Sequence, residues 1–107
     1  PASWKKALMA VRSSKGLVET VTDREILEAQ RLLASLEGIF VEPASASSIA
    51  GLKKLIESGA ISREEEVVCV TTGHGLKDPE AAVHLCDKPL TVGKDENAIK
   101  RAMGLHV

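Results

Sequence analysis

The feature that most constrains this chain is a short apolar run that ends in a hydroxyl side chain and two glycines. Residues 67–70 read Val-Val-Cys-Val without polar alternation, which predicts a strand buried on both faces of a parallel sheet. Thr72, Gly73 and Gly75 follow, where open α/β sheets bind ligands beyond the carboxyl ends of their strands. Because glycine permits positive φ and close approach of a ligand to the backbone, we expect a binding loop at residues 72–75.

The first part of the chain predicts two helices separated by short extended segments. Ser3 is placed to cap a helix whose apolar residues recur at helical spacing, and residues 16–21 favour a strand. Residues 22–25 have the sequence of a capping box. The capping box begins a second helix, which is predicted to end at Gly38. Residues 39–41 form a short apolar segment after this helix.

The second part of the chain continues the alternation. Serines within residues 45–47 are placed to cap a helix that Gly59 closes, Asp78 is placed to cap another, and residues 95–103 predict the last one. Short connections between helices and extended segments predict an α/β fold, a three-layer sandwich with a small, mostly parallel sheet flanked by helices. No domain boundary is visible, so we expect residues 1–107 to form a single unit.

Charge and composition exclude several classes of partner. Lys and Arg number 14 against 15 for Asp and Glu, giving a net charge of −1, whereas a nucleic-acid surface carries a basic excess. Aromatic residues make up 2% of the chain, too few for base-stacking platforms. No apolar stretch approaches the roughly 18 residues of a membrane span. We therefore expect neither nucleic acid nor a membrane as a partner.

The residues that usually bind metals are not arranged to do so here. His74, His84 and His106 have no metal-ligand spacing, and Cys69 and Cys86 match no metal or redox motif. We expect no metal site. Two unpaired thiols are typical of the reducing cytoplasm, which is the predicted location.

Three segments resemble, in the family's own order, the C-terminal part of the threonine synthases, which are pyridoxal-phosphate enzymes of fold type II. They are residues 1–4 (PASW), 38–52 (GIFVEPASASSIAGL) and 72–79 (TGHGLKDP). The resemblance covers essentially the whole chain and implies the C-terminal part of the large cofactor-binding domain. It also implies the reaction of the family, in which O-phosphohomoserine and water give threonine and phosphate.

The resemblance implies that Thr72, Gly73, Gly75 and Glu42 contribute to the cofactor site. In the family, the hydroxyl that matches Thr72 hydrogen-bonds the pyridine nitrogen of the cofactor, the glycines shape the loop under the ring, and Glu42 supports its surroundings. A hydroxyl donates a hydrogen bond without giving up its proton, so the ring stays largely neutral. Thr71 is the alternative if the register differs by one, although its side chain would point to the other face.

Each of these positions also has a purely structural interpretation. Thr72 could end a strand, the glycines could form an ordinary tight turn, and Glu42 could be a solvated carboxylate. His74 is either an acid or base or a loop residue that tethers neighbouring backbone. The serines of residues 45–48 either bind phosphate at a helix N-terminus or cap the helix. Asp78 either orients the neighbouring lysine or caps the helix after it.

Other parts of the family's machinery have no match in the chain. There is no Ser-Phe-Lys-Asp-Arg-like stretch for the lysine that attaches the cofactor and no glycine-rich phosphate loop, and Lys77 is not the matching lysine. No residue is therefore assigned as catalytic, and the chain, which begins at Pro1, is expected to be an inactive piece of a longer enzyme. Unpaired sheet edges predict self-association, hence a homo-oligomer. The alternatives are a sibling such as a threonine or serine dehydratase, and a non-catalytic module that pairs with a partner subunit.

Overall fold

Helices form most of the regular structure in the computed structural model, which describes residues 3–86 and 88–105. The described segments between the helices have little regular secondary structure. None of the described helices combines the length and the apolar character that crossing a membrane requires. The helices are α1 (Trp4–Ser14), α2 (Asp23–Glu37), α3 (Pro43–Glu57), α4 (Pro79–Leu85) and α5 (Glu96–Ala102), with a 3₁₀ helix at Gly75–Lys77 before α4.

Helix α2 begins and ends where the sequence predicts because both of its ends are capped. The Thr22 hydroxyl accepts a hydrogen bond from the Glu25 backbone N–H at 3.3 Å, and the Glu25 carboxylate accepts one from the Thr22 N–H at 2.6 Å. Gly38 follows with φ of 67°, a conformation that favours glycine. Asp78 caps α4 through its side chain, as predicted, and Asp95 caps α5 in the same way.

We expect the capping box to make stability sensitive to acid. Hydrogen bonds, first from the Thr22 backbone and then from its hydroxyl, lower the pKa of Glu25 below the ordinary glutamate range. A lowered pKa stabilises the fold above the ordinary range, and this contribution is lost as pH falls through the lowered pKa. In E25Q, which keeps a side-chain acceptor but cannot titrate, urea unfolding between pH 6 and 2 should show a shallower loss of stability. Equal acid slopes for the two proteins would contradict this.

The core lies between α2 and α3 and is made of small residues. Ala29 of α2 and Ala46 and Ala50 of α3 are buried together with Val41, and short side chains let two helices approach closely. The buried Gln30 side chain donates its amide N–H to the Val41 carbonyl at 2.6 Å. The core therefore holds the segment just before α3 firmly against α2. Four partly buried residues pack around it: Val21, Ile26, Leu33 and Ile49.

Beyond this core, the chain is far from compact. Its radius of gyration is 19.4 Å, whereas a compact domain of this length has about 13 Å. Helices α1 and α5 contain no buried residue, and the Trp4 and Met9 side chains of α1 are 55% and 70% exposed. A large apolar surface is thus uncovered within the described residues, as is typical of surfaces that mediate association.

The predicted parallel sheet does not form within the described residues. Residues 67–70 form no strand, and Val68 and Val70 are 90% and 69% exposed, so the predicted burial on both faces is not present within the described residues. Residues 16–21, which the sequence predicts as a strand, form none either. A buried parallel strand needs neighbouring strands and covering helices on both faces, and the described residues do not supply them.

Candidate functional site

The segment before α3 lies beside the predicted binding loop. Among the described residues a single isolated β-bridge, antiparallel, joins Val41 and His74. Next to it the Glu42 N–H donates to the Gly73 carbonyl at 3.0 Å, and the Gly75 N–H donates to the carbonyl of the residue before Val41 at 3.1 Å. Glu42, Gly73 and Gly75, which the sequence assigns to one site, are therefore brought together.

Ser45 anchors the loop from the first turn of α3. Its side chain is buried, with 1% of its surface exposed, and its hydroxyl oxygen accepts hydrogen bonds from the Thr72 and Gly73 N–H groups, each at 2.8 Å. The same oxygen lies 3.1 Å from the Thr72 hydroxyl. One buried hydroxyl thus fixes both the backbone and the side chain of Thr72.

The expected roles of the serines are not what the structure shows. The N-cap position of α3 is Glu42, and no side chain caps it. Ser45 points to the loop, whereas Ser47 donates to the Ala44 carbonyl at 2.6 Å and Ser48 donates to the Ser45 carbonyl at 2.9 Å. The capping role is therefore wrong, and the Ser45 hydroxyl is engaged inside the protein rather than presented to a phosphate.

Gly73 and Gly75 are needed for space rather than for positive φ. Neither is among the described residues with positive φ, so that part of the prediction is wrong. A Cβ on Gly73 would lie 2.1 Å from a Glu42 carboxylate oxygen, and one on Gly75 would lie 2.4 Å from the Phe40 ring. The predicted close approach is present, and it is made by two side chains of the chain itself.

Glu42 forms an ion pair across the loop. Its carboxylate lies 2.9 Å from the Lys77 ammonium, and its side chain is 15% exposed against 63% for the lysine. Glu42 is therefore not the freely solvated carboxylate of the structural interpretation. Lys77 pairs with Glu42, and Asp78 accepts from the Ala81 N–H at 3.2 Å as the cap of α4.

His74 acts as a tether. Its Nδ1 accepts a hydrogen bond from the Leu76 N–H at 3.1 Å, and its ring meets the Phe40 ring edge to face with centroids 5.7 Å apart. An Nδ1 that accepts from backbone carries no proton itself, so the ring favours the Nε2–H tautomer. The prediction that His74 holds neighbouring backbone is confirmed by these contacts.

Thr72 presents a neutral hydroxyl at the protein surface, beside the start of α3. The residue is exposed, while its hydroxyl and N–H are both held by Ser45. Such a group can exchange a hydrogen bond with a ligand but cannot supply a charge at neutral pH. Within the described ranges no group of three or more metal-ligating side chains is assembled.

A family comparison identifies the class of enzyme to which this chain belongs. The family described as pyridoxal-phosphate dependent enzyme matches residues 2–73, which include Glu42, Ser45, Thr72 and Gly73. The chain belongs to the pyridoxal-phosphate-dependent enzymes. The α/β class of the prediction follows from this membership, and the family's cofactor is pyridoxal phosphate.

Threonine synthases are among the relatives of this chain, and three of them illustrate the similarity. The chain is 60% identical over 103 residues to that of Methanocaldococcus jannaschii, 54% over 103 residues to that of Methanosarcina acetivorans, and 52% over 99 residues to that of Halalkalibacterium halodurans. These alignments cover 96%, 96% and 92% of this chain. They cover 25%, 25% and 28% of the relatives, so the chain spans about a quarter of their length.

The described residues fit one end of the family's cofactor. A pyridine nitrogen requires a single partner for its lone pair or its proton, and a neutral hydroxyl such as that of Thr72 provides one. The nearby carboxylate of Glu42 is paired with Lys77, and among the described residues it makes no hydrogen bond to Thr72. The arrangement therefore suits a ring that stays neutral at its nitrogen.

Sequence reasoning missed the anchoring role of Ser45 and the partners of the two glycines. A signal for Ser45 is present, because Pro43 occupies the first position of a helix and places Ser45 inside the first turn, beyond the capping position. The Gly75–Phe40 and Glu42–Lys77 contacts join distant parts of the chain, and no local pattern predicts them.

Proposed function

We propose that this chain is the C-terminal part of the large cofactor-binding domain of a threonine synthase, which converts O-phosphohomoserine and water to threonine and phosphate. The observation that carries the proposal is 60% identity to a threonine synthase over 103 residues. Since that alignment covers 96% of the chain, it supports assigning both helix α3 and the loop at residues 72–75 to the same enzyme. The proposed cofactor-binding residues are Thr72, Gly73, Gly75 and Glu42.

The chain's own residues bind and orient rather than react. Pyridoxal phosphate, when bound, withdraws electrons from the substrate carbons. Thr72 offers its hydroxyl to the ring nitrogen, and Ser45 holds that hydroxyl and its backbone at 3.1 and 2.8 Å. The Glu42–Lys77 ion pair links the residue before α3 to the 3₁₀ helix at Gly75–Lys77. Gly73 leaves room for the Glu42 carboxylate, because any larger residue at that position would place its Cβ against a carboxylate oxygen.

The parallel sheet is proposed for the whole enzyme. Residues 67–70 form no strand among the described residues, and Val68 and Val70 are exposed, as expected for a strand whose neighbours come from other parts of the enzyme. The radius of gyration of 19.4 Å and the uncovered faces of α1 and α5 favour the same interpretation. We also propose a homo-oligomer, because apolar area of this extent favours association, and a cytoplasmic location, which two free thiols at Cys69 and Cys86 favour.

The test begins with the mass of the native protein in its source cells, captured with an antibody to this chain. A mass several-fold above 11.4 kDa is expected. The captured protein, supplied with pyridoxal phosphate, should release phosphate and threonine from O-phosphohomoserine in equal amounts. A 2-oxo acid formed from threonine or serine instead would assign a dehydratase. A mass near 11.4 kDa without either activity would contradict the proposal and indicate a module that pairs with a partner.

A further inference from the structure

We propose that Ser45 is a positioning residue that fixes the direction of the Thr72 hydrogen bond, so that Thr72 donates its proton outward to the ring nitrogen of the cofactor. The inference rests on the proposed function and concerns a residue for which the sequence alone suggests only phosphate binding or helix capping. It follows from counting the protons and lone pairs around one buried oxygen atom.

The first step is the number of bonds that Ser45 accepts. A hydroxyl has two lone pairs and one proton. The N–H groups of Thr72 and Gly73 donate to the Ser45 oxygen, each at 2.8 Å, and together they occupy both lone pairs. The 3.1 Å contact between the Ser45 and Thr72 hydroxyls therefore cannot be a bond in which Thr72 donates. Ser45 has to be the donor and Thr72 the acceptor.

The second step is the choice between two acceptors for the Ser45 proton. The Gly73 carbonyl lies 3.4 Å from the Ser45 oxygen, which is long for a bond between a hydroxyl and an oxygen. That carbonyl already accepts from the Glu42 N–H at 3.0 Å. The Thr72 hydroxyl is closer, at 3.1 Å, so the Ser45 proton lies toward Thr72.

The third step concerns the direction of the proton on the Thr72 hydroxyl. Its proton is not used by Ser45, and its exposed position lets the proton point away from the protein. A hydroxyl that accepts one hydrogen bond becomes a better donor in the next, because hydrogen bonds in a chain polarise one another. Ser45 therefore makes Thr72 a directed donor, and a donor at this position favours a ring nitrogen that keeps its lone pair.

The test uses the full-length enzyme loaded with pyridoxal phosphate that carries ¹⁵N in its ring. In S45A, the ring-nitrogen NMR signal should shift from its wild-type position toward that of a pyridine nitrogen without a hydrogen bond. Protection of the Thr72 and Gly73 amides from hydrogen exchange should fall about tenfold, as expected for loss of one hydrogen bond of typical net strength. A ring signal identical to that of the wild type would overturn the proposal.

Two comparisons separate this role from a general loss of structure. S47A removes the same hydroxyl two positions along α3. Among the described residues this hydroxyl bonds only within its own helix, to the Ala44 carbonyl, so S47A should leave the ring signal and the Thr72 amide unchanged. S45A combined with T72V should give the ring signal of T72V alone, because Ser45 acts through Thr72. A further shift in the double variant would contradict the inference.

Failure of the proposal is also distinguishable from failure of the proposed function. If the wild-type protein binds no pyridoxal phosphate or makes no threonine, the proposed function is wrong before any variant is compared. If S45A does not fold, neutron diffraction of the deuterated wild-type enzyme provides the answer without a substitution. A Ser45 deuteron directed at Thr72 is expected, and a Thr72 deuteron directed at Ser45 would overturn the assignment.

Discussion

Replacing Thr72 by valine is expected to lower kcat/KM for threonine formation by roughly 5- to 150-fold in the full-length enzyme. Valine keeps the branched shape but removes the hydroxyl, so the ring nitrogen of the proposed cofactor loses its partner. Leaving a buried polar atom without a partner costs about 1–3 kcal/mol, and each 1.36 kcal/mol corresponds to tenfold in rate. The measurement is phosphate release from O-phosphohomoserine at saturating pyridoxal phosphate, together with the dissociation constant of the cofactor.

The neighbouring threonine provides a matched control. T71V makes the same chemical change one position earlier, where the side chain is expected to point to the other face of the proposed strand, and should keep nearly full activity. T72S restores a hydroxyl at the right position and should recover most of the lost rate. If T71V were the slower variant, the register of the site would be shifted by one residue and the assignment of Thr72 would be wrong.

Replacing Gly75 by alanine is expected to destabilise the protein by about 1–3 kcal/mol, the usual cost of forcing an extra group into a packed region. The new Cβ would lie 2.4 Å from two atoms of the Phe40 ring, and that ring is held edge to face against His74. Since an aromatic ring cannot bend away, either the ring or the loop must move. Urea unfolding monitored by circular dichroism measures the loss.

Replacing Gly51 by alanine is expected to stabilise the protein, in contrast to the same change at Gly75. It lies inside α3, and a Cβ there would meet nothing within 4 Å. G51A should stabilise the protein by about 0.5–1 kcal/mol, because glycine is less favourable than alanine in a helix interior. In a Phe40→Leu background, G75A should cost less than in the wild type. Equal costs in the two backgrounds would show that Phe40 is not the obstacle.

The helix ends that the sequence predicts well are those whose partners lie within three or four residues. Thr22 and Glu25 cap each other, and Asp78 and Asp95 bond N–H groups three positions ahead. Such contacts depend on local spacing, which the sequence displays directly. Ser3 is the exception, because it occupies the N-cap position of α1 but its side chain makes no capping bond.

The predictions that fail are those that depend on distant partners. Residues 67–70 have the composition of a buried strand, yet burial depends on neighbouring strands that the described residues do not contain. Ser45 has the chemistry of a cap, but a bonding partner 27 positions away takes its hydroxyl. The sequence predicts positive φ at Gly75. The structure instead requires glycine there because a Cβ would collide with the Phe40 ring. In each case tertiary contacts override a local preference.

The separation in sequence between contacting residues indicates an order of assembly. Helices α2 and α3 are neighbours along the chain, so they meet by closing a short loop, which is the fast kind of folding event. The Ser45–Thr72 and Glu42–Lys77 contacts join residues 27 and 35 positions apart and must close much longer loops. Helices α2 and α3 should therefore pack together first, and the loop at residues 72–75 should dock onto them later. On gentle heating the loop should open first, so that ligand binding is lost while the helices persist.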